Sequence, residues 1–278
     1  MRGIQWRPDM PEGADGPTPK RDDDTKDADY LRGTLHGWPR VVVRWLILLI
    51  IRPFIKLTIN GLENVPDQRA FLFVANHLHN ADPILLETAI TRPVHFMAKR
   101  ELFRNRLLGH AARFVGAFPV ERGRPDRGAI RRAEALLASG IAVGMFPEGT
   151  RSPAHGLQRG FPGAGMIALR SAVPVLPATI TGSESLPFSG GKTTARNRPR
   201  SGRFGRHPIV IQFGQPFLLP TEVDGRRVNA AVATELMMGE VARLLPRSYR
   251  GVYELMVDQL EARDTDGNGH SVSPSPSN

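Results

Sequence analysis

His77 and Asp82 stand five residues apart, an imidazole and a carboxylate separated by Leu78-His79-Asn80-Ala81. That is too far for them to meet along an extended strand. A chain that turns between them brings the carboxylate against one ring nitrogen, fixes the tautomer and leaves the other nitrogen as a base. A plainer reading stays open on these residues alone: Asp82 caps a helix beginning at Pro83, and His77 is a satisfied loop histidine. The preceding Phe71-Leu72-Phe73-Val74-Ala75 suits a buried strand, and Asp82-Pro83 is a helix-start signal. A second stretch has the same design. Ile141-Ala142-Val143-Gly144-Met145-Phe146 reads as a buried strand and runs into the polar Pro147-Glu148-Gly149-Thr150-Arg151-Ser152.

Together these stretches resemble the glycerolipid acyltransferases of the lysophosphatidate acyltransferase (PlsC) type, whose hallmarks are an N-H-x-x-x-x-D block and an F-P-E-G-T-R-S block. The first is present from Asn76-His77 to Asp82, and the second is complete from Phe146 to Ser152. Between them, Gly116-Ala117-Phe118-Pro119-Val120-Glu121-Arg122 is similar to the family's intervening block, and Val173-Pro174-Val175-Leu176-Pro177 to its proline-containing strand. Four blocks in order are a specific signal. The resemblance covers about residues 57–219. One position departs: many relatives carry serine or threonine two residues after the motif histidine, and this chain has His79.

Composition sets outer limits. With 278 residues and 41% apolar content, the chain has enough material for one sizeable core and appendages. The absence of cysteine rules out disulfides, thiolate metal sites and a cysteine nucleophile. A formal net charge of +10 attracts anions, whether phospholipid headgroups, phosphorylated substrates, an acidic carrier protein or nucleic acid.

Which elements must position the two polar blocks? Residues 1–30 have almost no apolar periodicity and are expected to form a disordered tail, and no apolar stretch after Met1 suggests a secretory signal. Residues 36–59 are expected to form a helical segment at a membrane interface. From Val41 to Ile51 only Arg44 is polar; as a helix, these residues rise about 16 Å, against a hydrocarbon core of about 30 Å. Such a helix lies in one leaflet, with Trp38 and Trp45 on one face and Arg40 and Arg44 snorkelling from another. A buried core helix is the alternative, and Pro53 to Ile59 reads equally as a short helix or a strand. Over residues 60–262, apolar strands alternate with helices, which predicts an α/β domain with a single, mostly parallel central sheet flanked by helices. Its working groups then lie beyond the strands' carboxyl ends. Residues 186–207 interrupt this alternation with six basic residues and no acid, a loop suited to anionic lipid, to a carrier protein or merely to solvent. Residues 263–278 are expected to form a second disordered tail.

The resemblance implies transfer of a fatty acyl group from acyl-CoA or acyl carrier protein to the hydroxyl of lysophosphatidate or a related lysophospholipid. His77, oriented by Asp82, is then the base. Without a cysteine or a G-x-S-x-G elbow, direct attack by the acceptor hydroxyl is simpler than an acyl-enzyme. Arg122 and Arg151 suit a phosphate, since a planar guanidinium forks onto its oxygens. The family blocks assign the glycerophosphate grip to them, with Glu148, Gly149 and Thr150 in the second block and Lys99 a further cation by position. No metal or cofactor is expected, and no nucleic-acid partner, because the chain carries no recognised nucleic-acid module. The expected place is the cytoplasmic face of the cell membrane, peripheral or monotopic. Two other functions remain. His77-Leu78-His79-Asn80-Ala81-Asp82 superficially matches the zinc motif of metallo-hydrolases, although its aspartate comes one residue late. A non-catalytic basic protein binding membranes or nucleic acid is the other.

Overall fold

All four residues of β2 (Leu72–Ala75) are buried. A strand covered on both faces reads as an unbroken apolar run rather than an alternating one. The computed structural model describes residues 38–67, 69–114, 116–121, 126–152, 156–186, 206–223 and 225–267. The expected tail over 1–30, Arg122, most of the basic stretch 186–207 and the chain beyond 267 lie outside the described residues.

Around β2 the described strands form one seven-stranded sheet and one small hairpin. The sheet contains β1 (Ile55–Asn60), β2, β3 (Val94–Lys99), β4 (Phe118–Val120), β5 (Ala142–Met145), β6 (Val175–Thr181) and β7 (His207–Phe213). Their spatial order is β1-β7-β6-β2-β5-β3-β4. From β6 through β2, β5 and β3 to β4 every pairing is parallel. β7 then runs antiparallel to β6 and carries β1 parallel beside it. The sheet is therefore mostly parallel, with a reversed pair at one edge. The undecided stretch from Pro53 to Ile59 resolves as strand from Ile55 onward. The hairpin, β8 (Glu222–Val223) with β9 (Arg226–Arg227), is too short for any periodicity to announce it.

Helices cover both faces of the sheet. Because successive strand residues point to opposite sides, Leu72 and Val74 of β2 share one core with Ala133 and Leu136 of α4 (Arg127–Ala138). The same core takes in Ile167 of α5 (Gly163–Ser171) and Met237 of α6 (Ala230–Leu244). Phe73 and Ala75 face the other core, with Leu85 and Leu86 of α2 (Asp82–Ala89). Each of the larger side chains among these, removed from water, contributes about 1.5–3 kcal/mol. The remaining helices are α1 (Trp38–Ile51), α3 (Arg106–Phe114) and α7 (Glu254–Gly267). α7 carries the helix to Gly267, past the expected start of a tail at 263.

Local chemistry sets the helix starts. Asp126 accepts the Ala129 amide at 2.9 Å, and Asn229 accepts those of Ala231 and Val232 at 3.0 Å. Each cap stabilises its helix by about 1 kcal/mol.

α1 lies beside α2. Arg44, expected to snorkel toward headgroups, instead donates from Nε to the Thr88 carbonyl at 2.7 Å, a cation at the carboxyl end of a helix. The outward flank is apolar: Trp45 and Leu46 are exposed, and Leu49 and Ile50 reach 70% and 67% exposure. Among the described residues no helix is long and apolar enough to cross a membrane.

Candidate active site

Where β2 ends, Asn76 prolongs it with its side chain. The Asn76 amide nitrogen donates to the Ile180 carbonyl at 2.9 Å, and its amide oxygen accepts the Ile180 N–H at 2.9 Å. This side chain mimics a strand partner, tying the start of the loop to β6. His77 follows directly, so its main chain leaves a fixed point.

The loop then turns back on Asp82. A single carboxylate oxygen, Oδ2, accepts the amides of Leu78 and His79, both at 2.6 Å, and meets His77 Nδ1 at 2.9 Å. Since a carboxylate only accepts, Nδ1 carries the proton and the lone pair of the neutral ring lies on Nε2. Nε2 has no hydrogen-bond partner among the described residues. The carboxylate does not cap α2, whose N-cap position is Ala81, a residue with no polar side chain to cap with. The geometry thus favours the ring-orienting arrangement over the helix-cap reading. Both groups are withdrawn from solvent, His77 at 4% exposure and Asp82 at 0%. The flat face of His77 stacks on Phe146, with centroids 4.2 Å apart and planes 18° off parallel.

Phe146 opens the second block, which wraps under the first. Gly149 takes φ of +63°, and its amide closes a turn onto the Phe146 carbonyl at 3.0 Å. A side chain there is strained by that φ and meets the Phe161 ring at 2.9 Å, so only glycine fits. Glu148 is 1% exposed. Its Oε1 accepts the His77 amide at 3.0 Å, while Oε2 accepts the Gln158 amide at 2.9 Å and the Ser152 hydroxyl. Burial pushes the Glu148 carboxyl from 4.5 up to about 7, against those three donors and with a small push from Asp82. Ser152 N–H donates to the His77 carbonyl at 2.7 Å.

The fold therefore brings His77, Asp82, Glu148 and Gly149 together. Arg151, half-buried, and Thr150, exposed, belong to the same turn, Arg151 being next to the residue that bonds His77. Lys99 stands apart: exposed at the end of β3, it pairs with Glu101 at 3.5 Å, a surface ion pair of little energetic weight. Arg122 lies outside the described residues. Asn76, Phe146, Ser152 and Gln158 carry supporting contacts that the sequence reading left without a role. The first three lie within or beside the motif blocks, which is the signal that marks them; Gln158 has none.

Nor do the two loop histidines converge as metal ligands. Nδ1 of His77 faces Asp82, and Nδ1 of His79 accepts the Ala81 amide at 3.1 Å. No group of three His, Cys, Asp or Glu among the described residues is arranged to hold an ion.

A cavity of about 480 Å³ opens beside this site, between the ends of β3 and β5 and the helices α4 and α5. Met97, Ile130, Met145 and Ile167 line its interior, and Phe146 and Gly149 the wall nearest His77. Phe161, more than half exposed, lines it as well, its ring over Gly149.

A mostly parallel sheet thus carries the His77–Asp82 pair and an apolar cavity at its carboxyl rim. A family model described as Acyltransferase matches residues 56–181. The 1-acyl-sn-glycerol-3-phosphate acyltransferase of Bacillus subtilis is 35% identical over 141 residues, which cover 50% of this chain and 68% of that protein. That of Streptococcus pneumoniae is 33% identical over 158 residues, 55% of this chain and 53% of that protein. The crystal structure of the 1-acyl-sn-glycerophosphate acyltransferase PlsC from Thermotoga maritima aligns with a TM-score of 0.47 and 24% identity, over 90% of this chain and 91% of that chain. The class is thus the acyltransferases. Within it, the chain belongs to the family of the 1-acyl-sn-glycerol-3-phosphate acyltransferases of PlsC type, which are O-acyltransferases.

Proposed function

We propose that this protein moves a fatty acyl group from acyl-CoA or acyl carrier protein to the free hydroxyl of lysophosphatidate or a related lysophospholipid. The observation that carries this reading is the His77–Asp82 pair, with Nδ1 held at 2.9 Å and Nε2 left to act. Nε2 takes the acceptor's hydroxyl proton as its oxygen attacks the thioester carbonyl, and Asp82 stabilises the imidazolium that forms. The tetrahedral intermediate collapses, the carbon–sulfur bond breaks, and the departing sulfur takes the proton from His77, so the thiol leaves and the neutral ring is restored. Atoms balance without a cofactor or an acyl-enzyme. Arg151, with Arg122, holds the phosphate of the acceptor, and Lys99 adds positive charge farther along the same rim. The apolar cavity takes an acyl chain, its methionine-rich wall adapting to the fit.

The same reading assigns the chain from β1 to residue 262 to the acyltransferase domain, since Ile55–Asn60 belongs to its sheet, and places α1 (Trp38–Ile51), within the expected segment 36–59, at the cytoplasmic face of the cell membrane. Its support is the exposed apolar flank of α1, where Leu49 and Ile50 stand next to Trp45 and Leu46. Purified protein is offered lysophosphatidate, other lysophospholipids and glycerol 3-phosphate with each donor, and products are read by mass spectrometry. Acylated lysophosphatidate is the expected product. Failure to acylate any acceptor with either donor would overturn the proposal.

A further inference from the structure

Glu148 sits in the block to which the family resemblance assigns the acceptor grip, yet its surroundings suit another task. Both carboxylate oxygens already receive donors from this chain: the His77 amide on Oε1, and the Gln158 amide and Ser152 hydroxyl on Oε2. At 1% exposure, the carboxylate offers almost no surface to an acceptor. The His77 main chain is meanwhile held from both sides, its N–H by Glu148 and its carbonyl by Ser152 N–H at 2.7 Å. Asp82 orients the ring from a third direction.

We propose that Glu148 is a positioning residue for His77: its carboxylate fixes the main chain from which the imidazole projects and does not grip the acceptor. This rests on His77 being the base of the transfer. The chemistry of the contact explains why an acid stands here. Three donors converge on two oxygens, and a carboxylate accepts all three. Glutamine has the same shape but turns an NH2 toward the His77 donor or toward the Gln158 and Ser152 pair, so Glu148→Gln breaks at least one contact while leaving the volume nearly unchanged. Released at its amide, the His77 segment gains freedom, and a misplacement near 1 Å costs roughly 10²-fold in rate.

The test uses the full chain in wild-type, Glu148→Gln and Ser152→Ala forms, with circular dichroism confirming the fold. With lysophosphatidate and acyl-CoA, Glu148→Gln is expected to lower kcat by roughly 10- to 100-fold, with the KM for the lysolipid within about twofold. A raised KM at unchanged kcat is the signature of a lost grip and overturns the proposal. Should Glu148→Gln not fold, Ser152→Ala decides on the same criterion, since it removes one of the donors and keeps the carboxylate. A second arm needs no turnover. In ¹H–¹⁵N spectra of the histidine rings, with the His77 signal identified by its loss in His77→Asn, the Nδ1–H resonance is expected to shift or broaden in Glu148→Gln. An unmoved resonance sinks the proposal, whatever the substrate. A wild-type protein without transfer activity sinks instead the reading on which it rests, and the spectra then decide the geometry by themselves.

Discussion

The Ser152 amide donates to the His77 carbonyl across 2.7 Å, joining two loops that lie 75 residues apart in the chain. The two motif blocks are therefore one piece of structure, with the His77 main chain as its seam. A disturbance in either loop reaches the imidazole.

The clearest test of the base is Asp82→Asn. The amide keeps the volume but loses the charge and presents a donor where Nδ1–H needs an acceptor, so the ring is released or flips its tautomer. We expect kcat to fall by roughly 10³–10⁴ with KM little changed, by analogy with the aspartate of a hydrolase triad. His77→Ala should abolish transfer while circular dichroism and thermal unfolding stay near wild type. Full activity in either variant removes the proposed mechanism.

Glu148 gives a pH dependence of known sign. Its folded pKa of about 7 lies above the ordinary 4.5, so between those values the folded state binds more protons than the unfolded one. Stability from this group is complete below about pH 4.5 and is lost as pH rises through about 7, a change on the order of 3 kcal/mol. Denaturant midpoints at pH 5 and pH 8 should drop for wild type by more than for Glu148→Gln, which has no proton to lose. Equal drops in the two proteins would rule this out.

For the cavity, Met166→Trp adds bulk at a half-buried lining position on α5. The added ring should shift preference toward shorter acyl chains, since each methylene excluded forfeits about 0.8 kcal/mol of burial. Competition between donors of different length measures it. An unchanged length profile would place the chain elsewhere.

Membrane attachment is tested by Leu46→Glu with Ile50→Glu, both on the exposed flank of α1 and so tolerable to the fold. The double variant should move from the membrane pellet to the supernatant with its unfolding transition preserved. Pelleting like wild type would show that something else holds the protein there.

Much of this was legible in the chain before any coordinates. The strands at Leu72 and Ala142 and the helix that begins at Asp82 lie where the apolar runs and the Asp82-Pro83 signal put them, because each strand has faces to bury and a polar turn to end it. The reversed edge was not legible: β1 pairs with β7 across about 150 residues, and neither strand carries a local sign of direction. Glu148 shows the same limit within the site. Its place in the motif is plain from the letters, but that its oxygens face His77, Ser152 and Gln158 depends on how two distant loops meet. The fate of Arg44 was similarly hidden, because the carbonyl it finds belongs to Thr88 on a neighbouring helix.

The reversal at the edge of the sheet has a topographic result. Thr58, Val210 and Thr181 are in register, and Ile180 is bonded to Asn76, so the chain coming from α1 meets the sheet at the rim where His77 sits. Three inter-strand spacings, about 14 Å, separate β1 from β2 along that rim. If the outer flank of α1 rests on a bilayer, an amphiphile travels sideways to His77 over roughly the length of its own tail, and that tail need never be immersed in water.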